Sequence, residues 1–552
     1  MLTKSAVFKK NLKMVEFFCK YQKYSLSLQK RSTMKRFNTT GKMIADQHYM
    51  VPIDRQVNEA ARMVEDNLYF CINRGRQYGK TTTLAFLKQK LEVKGYVVFS
   101  ISFEGLPDSA YESLETLIYA SLEKMVFSMQ LNTIANFSNE SAQLLLDLQN
   151  RNKKYTDVQD FVATIAAICS KERLVLLIDE VDQAGNYPSF VKFLGVLREM
   201  YLRRDEIPTI YSVILAGVYD IKNLKLKMRP EDQHQYNSPW NIAAPFDTDM
   251  SLHADGIAVM LSEYKEDHQL DFDVKDIAQV IYDYTSGYPF LVSRICLIMD
   301  ENKLPWNRNG VLNAVNSLLK EGNTLFDDMA KKLNQFPKMS QILHAILYQG
   351  LRIPYNYYDK EINLASMFNI VYDNNGATAV KCRIFETWLY NYFSSSEKST
   401  AIFQNGEADK NQFIHDGSLD MRHILERFVV HFNEIYRPGK DDKFVEENGR
   451  KIFLTYLRPI INGVGNYYCE AQTRDLTRTD VVVDYLGRQY VIELKIWRGD
   501  SYNQRGERQL ADYLDFFHLK EGYLVSFCFN KNKRSGIHDV LVGDRTICEA
   551  IV

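Results

Sequence analysis

Short apolar runs alternate with longer amphipathic segments over the first half of the chain. Four runs rich in β-branched and aromatic residues have the length of buried strands, and the stretches between them repeat apolar residues at helical spacing. The predicted strands are Tyr69–Ile72, Tyr96–Phe103, Leu174–Ile178 and Tyr211–Ala216. Strands that alternate with helices in this way predict a parallel α/β sheet over residues 43–255.

The pattern changes twice beyond this region. Residues 256–393 are helical throughout, which predicts a helical region beside the sheet. The polar stretch 394–412 begins with three serines and is predicted to be a linker. In 413–552, helical segments lead into two strands joined by a turn at Leu486–Arg488, and then into a further helix and strand. The chain is therefore predicted to hold two α/β domains.

The charge is unevenly distributed along an otherwise globular composition. The chain has 552 residues, with 68 basic and 69 acidic side chains. Residues 1–42 hold 11 basic residues and one acid, so the rest carries 57 basic and 68 acidic residues. We predict that 1–42 is a basic leader that is disordered or lies upstream of a true start at Met34. The acidic remainder excludes binding of nucleic acid through a positive field of the whole chain, so contacts must come from local basic groups or Mg²⁺.

Cysteine spacing and hydropathy exclude two classes of protein. The eight cysteines occur singly, without the C-x-x-C spacing of a zinc knuckle or redox dithiol. No uncharged apolar run reaches the roughly 18 residues that a membrane helix needs. We expect a cytoplasmic protein with reduced cysteines and no membrane partner.

Residues 73–83 have the sequence of a phosphate-binding loop. They read Asn-Arg-Gly-Arg-Gln-Tyr-Gly-Lys-Thr-Thr-Thr, directly after a predicted strand and at the start of a helix. Arg74 stands where the usual pattern has its first glycine. Lys80 would reach the β- and γ-phosphates of ATP, and Thr81 would ligate Mg²⁺. The predicted nucleotide-binding residues are Gly75, Arg76, Gln77, Tyr78, Gly79, Lys80, Thr81, Thr82 and Asp179.

A second strand supplies the acids that this chemistry needs. The run Leu174–Ile178 is continuously apolar and ends in Asp179 and Glu180, at the edge of a sheet where ligands bind. Asp179 is predicted to hold Mg²⁺ with Thr81, and Glu180 to deprotonate the attacking water. A buried strand that ends in solvated acids is the alternative. Either Ser212 or Ala216 is expected near the γ-phosphate, and the sequence does not choose between them.

The loop, the acid-ended strand and the segment Thr285–Phe290 resemble the AAA-like P-loop ATPases. In those proteins a Gly-x-Pro element begins a helical lid or winged-helix region beside the nucleotide, and Gly287-Tyr288-Pro289 matches that element. The resemblance covers about residues 34–395. It implies a P-loop sheet over 43–255, a lid or winged-helix region over 256–393, ATP hydrolysis and a possible homo-oligomer.

A second constellation lies on the hairpin near the end of the chain. A period of two puts Glu493 and Lys495 on one face of the second strand, and Asp480 can lie beside Glu493 across the hairpin. Asp480 and Glu493 are predicted to bind Mg²⁺, and Lys495 to stabilise charge on a scissile phosphate. A plain hairpin with outward polar residues is the alternative.

This hairpin and the Gln-x-x-x-Tyr pair at Gln509 and Tyr513 resemble the PD-(D/E)XK nuclease superfamily. The resemblance covers about residues 413–552 and implies that Gln509 flanks the catalytic face. It also implies an acid from the preceding helix, for which Glu447 is preferred over Glu446, with Glu470 as a rival. Lys531, Lys533 and Arg534 form a small basic cluster that could contact phosphate.

Together these patterns predict an AAA-like ATPase coupled to a Mg²⁺-dependent nuclease. The substrate is expected to be nucleic acid, with DNA preferred, in defence or mobile-element biology. The alternative is a switch in which ATP drives signalling or assembly and the nuclease-like domain only binds a partner.

Overall fold

The protein is described from a computed structural model, which covers most of the chain beyond residue 33. The described residues are 34–131, 134–151, 156–218, 240–348, 351–393, 401–415, 417–435, 446–461, 465–472, 478–497, 500–516, 519–528 and 535–552. Within them no helix is long and apolar enough to cross a membrane.

The first part of the chain alternates strands and helices as its apolar periodicity predicts. Its elements are α1 Asp54–Glu65, β1 Phe70–Asn73, α2 Lys80–Val93, β2 Val97–Ser102, α3 Leu114–Leu131, α4 Asn139–Arg151, α5 Val158–Cys169, β3 Leu174–Asp179, α6 Pro188–Leu202, β4 Ser212–Gly217 and β5 Ala244–Pro245. The strands form one sheet in the order β2-β3-β4-β1-β5, and every pair is parallel. The prediction of a parallel α/β sheet is confirmed.

Both faces of this first sheet are buried, which explains the unbroken apolar run in β3. Leu174, Leu176 and Ile178 pack with α3–α6 on one face. Val175 and Leu177 point to the opposite face and join a second core with α1, α2 and the helices that follow. All six residues of β3 are buried, including Asp179 at its carboxyl end. Strand β3, which is buried on both faces, therefore ends in Asp179 at the carboxyl edge of the sheet.

A helical region follows the first sheet. Its elements are α7 Ala254–His268, α8 Val274–Thr285, α9 Pro289–Glu301, α10 Arg308–Lys320, α11 Thr324–Gln335, α12 Pro337–Tyr348, α13 Lys360–Met367, β6 Val371–Asn374, β7 Ala377–Val380 and α14 Arg383–Phe393. The two short strands form an antiparallel hairpin between α13 and α14. Most of residues 256–393 are helical as predicted, but the hairpin of β6 and β7 was not predicted. The lid and winged-helix assignments stay predictions.

The last part of the chain builds a second sheet between helices. Its elements are α15 Ala401–Asp409, β8 Ile414–His415, β9 Ser418–Leu419, α16 Met421–Ile435, α17 Glu446–Ile461, β10 Gly465–Gln472, β11 Arg478–Tyr485, β12 Arg488–Ile496, α18 Asp500–Phe516, β13 Glu521–Phe527, β14 Gly536–Val542 and β15 Arg545–Ile551. The strand order is β10-β11-β12-β13-β15-β14. Strands β10, β11 and β12 are antiparallel, whereas β12, β13 and β15 run parallel.

The two faces of the second sheet are covered by different helices. A Cβ added to Gly449 of α17 would lie 2.3 Å from the Phe527 ring, so α17 packs tightly on one face. On the other face, a Cβ at Gly522 of β13 would lie 2.9 Å from Leu514 of α18. Leu524 follows two residues after Gly522, and the register pairs it with Glu493. Glu493 therefore faces α18.

The predicted linker is wrong for residues 401–412. These residues form α15 and a 3-10 turn at Lys410–Gln412. A Cβ at Gly406 would lie 2.2 Å from the Tyr456 carbonyl oxygen, so α15 packs directly on α17. Asp409 is buried, with its carboxylate 2.7 Å from Nε2 of His431. The glycine and the polar residues that suggested a linker thus provide a helix contact and a buried hydrogen bond. Residues 394–400 lie outside the described part.

The end of the predicted leader is also folded. Phe37 is 2% exposed and packs its ring against Tyr49 and Tyr264 at centroid distances of 5.2 and 4.9 Å. Residues 34–42 therefore belong to the folded protein rather than to a disordered leader. Residues 1–33 lie outside the described part.

Candidate functional site

The loop between β1 and α2 has the backbone shape of an anion-binding turn. Gln77 and Gly79 both adopt left-handed conformations, with φ of 56° and 80°. Gly79 is the residue before the first turn of α2, and a Cβ there would touch nothing within 4 Å. Glycine is thus favoured at this position by its φ and not by crowding. The free N–H groups that begin α2 are the donors that suit a phosphate.

Arg74 replaces the first glycine of the usual loop pattern for a visible reason. Its guanidinium is half-buried and donates to the carbonyl oxygens of Asn73 and Thr248, both at 2.8 Å. Its backbone N–H donates to the Gly217 oxygen at 3.1 Å. The side chain therefore turns away from the loop and ties it to the segment after β5.

Lys80 occupies the centre of the loop. The side chain is 6% exposed, and its Nζ donates to the carbonyl oxygens of Arg74 and Gly75 at 2.9 and 3.0 Å. Burial lowers the pKa of the Lys80 ammonium, and the carboxylates of Glu180 and Asp179 oppose that shift. The ammonium is held by neutral oxygens, which a phosphate group can replace.

Thr81 and Asp179 meet as the sequence predicts. Thr81 Oγ1 donates to Asp179 Oδ2 at 2.7 Å. This contact joins the start of α2 to the end of β3, two elements that are far apart in the chain. A hydroxyl and a carboxylate in contact are hard oxygen ligands of the kind that Mg²⁺ takes beside nucleotide phosphates, so the pair fits that ion.

Glu180 lies one residue beyond β3 in a left-handed conformation with φ of 53°. Such a conformation is uncommon for a residue with a Cβ, and it is typical of functional sites. Burial raises the pKa of the Glu180 carboxyl, while Lys80 lowers it and Asp179 and Asp182 raise it. The geometry turns Glu180 out of the line of β3, beside the loop that holds Lys80.

Asp182 was not predicted and completes this acidic edge. Its Oδ2 accepts the backbone N–H of Val218 at 2.5 Å, which fixes the chain just after β4. A Cβ added to Gly217 would lie 3.1 Å from either Asp182 carboxylate oxygen. The acid two residues after Glu180 was the available signal in the sequence.

Three other predicted loop residues turn their side chains into the protein. Tyr78 is buried against the Tyr288 ring at 4.9 Å, and Thr82 accepts the Met43 N–H at 3.1 Å. Gln77 donates to Thr324 of α11 at 2.8 Å. Only backbone groups of these residues remain to meet a phosphate.

Gly75 and Arg76 join the loop to the helical region. A Cβ at Gly75 would lie 2.8 Å from the Asn369 amide nitrogen, so only glycine fits there. The hydroxyl of Tyr288 donates to the Arg76 carbonyl oxygen at 2.6 Å, whereas the Arg76 side chain is 63% exposed. Tyr288 is the middle residue of the Gly-x-Pro element, and its contact with the loop was not predictable from the sequence pattern.

The choice between Ser212 and Ala216 is settled by strand direction. Ser212 begins β4 and donates to the Leu68 carbonyl oxygen at 2.6 Å, at the end of the sheet away from the loop. Ala216 pairs with Ile72 at the loop end of β1. Ala216 is thus the nearer of the two, and it carries no polar group.

The hairpin brings the second predicted pair together. Glu493 is fully buried on β12, and its Oε1 lies 2.8 Å from Lys495 Nζ. Lys495 in turn lies under α18, because a Cβ on Gly506 would be 3.4 Å from the Lys495 Cγ. Gln509, one turn further along α18, donates to the Tyr513 hydroxyl at 2.7 Å. Carboxylate, ammonium and amide thus share one face of the sheet.

Three of the remaining predictions concern side chains outside the described part. Val481 pairs with Ile492 in the antiparallel register of β11 and β12. Continuing that register by one residue places the backbone of Asp480 opposite Glu493. Glu447 lies in the first turn of α17. Nothing is described of either side chain, and Lys531, Lys533 and Arg534 lie outside the described residues altogether.

Comparison with known proteins finds no matching family model and no matching curated protein. Among solved structures, a Walker-type ATPase of Pyrococcus abyssi is 13% identical with a TM-score of 0.43, over 64% of this chain and 99% of that chain. Cdc6p of Pyrobaculum aerophilum is 12% identical with a TM-score of 0.30, over 63% of this chain and 95% of that chain. The ORC1 protein of Aeropyrum pernix, solved in complex with DNA, is 12% identical with a TM-score of 0.29, over 63% and 93%. These distant similarities establish no family for this chain.

Proposed function

We propose that the chain binds and hydrolyses ATP at the loop 74–81 and couples this to Mg²⁺-dependent cleavage of nucleic acid by the second sheet. DNA is the preferred substrate, and defence or mobile-element biology is the proposed setting. The observation that carries the proposal is the cluster of Lys80, Thr81 and Asp179 at the carboxyl end of a parallel sheet.

Each group of the first site has a role that its contacts support. The Lys80 ammonium can exchange two neutral carbonyl oxygens for phosphate oxygens, which bind it more strongly because they are charged. Thr81 and Asp179 would hold Mg²⁺, which neutralises phosphate charge when bound. Glu180 would take the proton of the attacking water, and its raised pKa brings its basicity nearer to neutral pH.

A small apolar cavity beside the loop supports a nucleotide ligand. It holds about 60 Å³ and is lined by Gly79 and Thr82 of the loop, Met43 and Val51 of the preceding segment, and Pro289 of α9. Apolar side chains beside a phosphate loop suit the face of a purine ring. The space is smaller than a purine base, so only part of a bound base would lie within it.

The nuclease part of the proposal rests on the second sheet. Helix α17 precedes the hairpin of β11 and β12, and helix α18 with Gln509 follows it before the parallel strand β13, which agrees with the preceding helix and the Gln509 segment that the PD-(D/E)XK resemblance implies. Glu493 and Lys495 would hold Mg²⁺ and stabilise phosphate charge respectively. Gln509 of α18 lies on the same covered face of this sheet.

A second candidate is a switch in which ATP changes assembly and the second sheet cleaves nothing. One observation favours it. Glu493 has no exposed surface and is paired with Lys495, which is also how a purely structural ion pair would look. The two candidates differ in whether metal can reach Glu493.

The deciding experiment measures cleavage of single- and double-stranded DNA and RNA by the full chain, with and without Mg²⁺ and ATP. We expect wild type to cut in Mg²⁺ and Glu493→Gln to lose cutting. Glu549→Gln is a matched control, because Glu549 is an equally buried acid of the same sheet, two strands away. If neither wild type nor Glu549→Gln cuts any substrate while ATP changes the oligomeric size, the switch is correct.

A further inference from the structure

A third concave site lies between the helical region and the second sheet. It is a cleft of about 680 Å³, within the range of sites that bind small ligands. Helices α8, α10 and α14 form one wall, and the opposite wall is the turn between β11 and β12 together with the start of β13. Neither the loop 74–81 nor the Glu493–Lys495 pair lines this cleft.

Basic side chains outnumber acids around the cleft. Arg308, Arg383, Arg488 and Lys520 line it, against Asp283 and Glu521. Arg308 is already neutralised by Asp276, with which it forms an ion pair at 2.5 Å. Arg488 and Lys520 are exposed, and neither has a carboxylate within 4.0 Å among the residues that the structure describes. Two unneutralised cations, in a region of the chain (43–552) that has 57 basic and 68 acidic residues, mark a local anion-binding surface.

These two cations lie close together because of the sheet. Strands β12 and β13 run parallel, with Ile492 opposite Tyr523. Continuing this register to the first residue of β12 places Arg488 opposite Leu519, the residue before Lys520. The two strands are roughly 5 Å apart. An offset of one residue would point two side chains to opposite faces within a sheet, but both of these lie at the strand starts and line the cleft, so both can contact phosphate groups bound there.

The opposite wall offers a flat, oriented surface. The Arg383 guanidinium lies 5.7 Å from the centre of the Tyr284 ring. The Tyr284 hydroxyl donates to the Asp484 carboxylate, which fixes the ring from the side of the second sheet. A guanidinium held over an aromatic ring is a surface on which nucleobases stack.

We propose that this cleft binds a phosphate-bearing nucleotide, either free or as part of a nucleic-acid strand, with the phosphate on Arg488 and Lys520 and the base towards Arg383. The cleft is separate from the proposed cleavage site, because Arg488 and Glu493 are five residues apart on β12, about 17 Å along the strand. The proposal holds whether or not the chain hydrolyses ATP or cuts nucleic acid.

The test uses the full chain carrying Lys80→Ala, which removes phosphate binding at the loop, in EDTA to suppress metal-dependent binding at Glu493. Two probes are titrated, inorganic pyrophosphate by calorimetry and a 5′-phosphorylated, fluorescently labelled thymidine tetranucleotide by anisotropy. We expect Arg488→Glu with Lys520→Glu to weaken binding of at least one probe tenfold or more. For the tetranucleotide, the slope of log affinity against log salt should fall by about 1.4 for two lost contacts.

The matched control is Lys171→Glu with Lys331→Glu, which makes the same charge change at two exposed positions away from the cleft. Loss of pyrophosphate binding in the cleft variant supports a free phosphate ligand, and loss of tetranucleotide binding alone supports a strand. The proposal is overturned if neither probe binds, if the cleft variant binds like its parent, or if the control loses as much. Thermal unfolding of all variants shows that each is folded.

Discussion

Lys80 and Lys495 both lie near the carboxyl end of a buried strand, but they are held in opposite ways. Lys80 Nζ donates to the carbonyl oxygens of Arg74 and Gly75, and the carboxylates of Asp179 and Glu180 act on it as neighbouring charges. Lys495 Nζ lies 2.8 Å from the Glu493 carboxylate. Lys80 is thus hydrogen-bonded to neutral carbonyl groups, whereas Lys495 is paired with a charged carboxylate.

The difference teaches which site is ready for its ligand. A phosphate that reaches Lys80 displaces weak neutral contacts and gains charged ones. A metal that reaches Glu493 must compete with Lys495 for the same carboxylate, which has no exposed surface. The first site is thus preorganised for an anion, while the second must rearrange before it can hold a cation.

The largest expected effect comes from removing each lysine separately. Lys80→Ala should weaken ATP binding about 100-fold, close to 3 kcal/mol, because it removes the cation at the phosphates. Lys495→Ala should lower metal-dependent cleavage about 100-fold or more. Each variant should keep the other activity when that activity is measured alone, by nucleotide titration and by cleavage without ATP.

Lys88→Ala is the control for the first site, because Lys88 lies on the same helix and pairs with Glu92 at 3.7 Å. It should bind ATP like wild type. Equal affinity for ATP in Lys80→Ala and Lys88→Ala would show that the loop does not bind the phosphates.

Gly287→Ala should be the next largest effect, and it should act on the first site alone. Gly287 has φ of +70°, and an added Cβ would lie 2.5 Å from the Leu252 carbonyl oxygen. Strain and clash together should cost about 2–4 kcal/mol of folding stability. Displacement of Tyr288, which donates to the loop, should weaken ATP binding as well.

Gly105→Ala separates the two causes. Gly105 has φ of +75°, but a Cβ there would meet nothing within 4 Å, so only the conformational cost of about 1 kcal/mol remains. Thermal unfolding and nucleotide titration compare the variants. If Gly287→Ala is no less stable than Gly105→Ala, the close contact with Leu252 does not matter.

The sequence predicted the parts of each site that lie within one element. The loop 74–80, the acids at the end of β3 and the Glu493–Lys495 pair follow from periodicity, because spacing along one strand or helix determines which face a residue occupies. Contacts that join distant elements were not predictable in this way. Tyr288 on the Arg76 carbonyl and Asn369 against Gly75 depend on how the helical region packs on the loop.

The linker prediction was wrong for a related reason. Gly406 and Asp409 look like linker residues by composition, since glycine and aspartate are common in loops. In the fold, Gly406 provides the space for close helix packing and Asp409 pairs with His431 in a buried position. Composition describes a residue by itself, whereas its role depends on the partner that the fold supplies.

A smaller effect should come from the contact that joins the two regions. The Tyr284 hydroxyl of the helical region donates to the buried carboxylate of Asp484 on β11. Tyr284→Phe removes this donor and should cost about 1–2 kcal/mol of stability. It should also reduce any effect of ATP on cleavage, since it removes a side-chain hydrogen bond between α8 and the hairpin.

Tyr264→Phe is the matched control. The Tyr264 hydroxyl donates to Asp300 at 2.6 Å, so the same group is lost within the helical region. The measurement is the ratio of cleavage rates with and without ATP, together with thermal unfolding. A change in that ratio that is equal for both variants would show that Tyr284 does not link the regions.

The smallest expected effect is a gain in stability at the first site. Burial raises the pKa of Glu180 above its ordinary value of 4.5, so the ionised form is less favourable in the folded chain than in the unfolded chain. As far as this group is concerned, the protein is therefore most stable below the ordinary pKa of 4.5, where Glu180 is neutral in both states. It loses that part of its stability as pH rises through the raised pKa of the folded state.

Glu180→Gln removes the charge and should therefore stabilise the protein at pH 7 by about 0.5–1 kcal/mol, a modest figure because the carboxylate is partly solvated. The gain should disappear near pH 4, where both side chains are neutral, while hydrolysis of ATP should be lost at every pH. Thermal unfolding without nucleotide at the two pH values checks the sign, and a variant that is less stable than wild type at pH 7 would contradict it. Glu180 would then lower the stability of the fold and be required for hydrolysis, as expected of a catalytic base in an acidic, half-buried site.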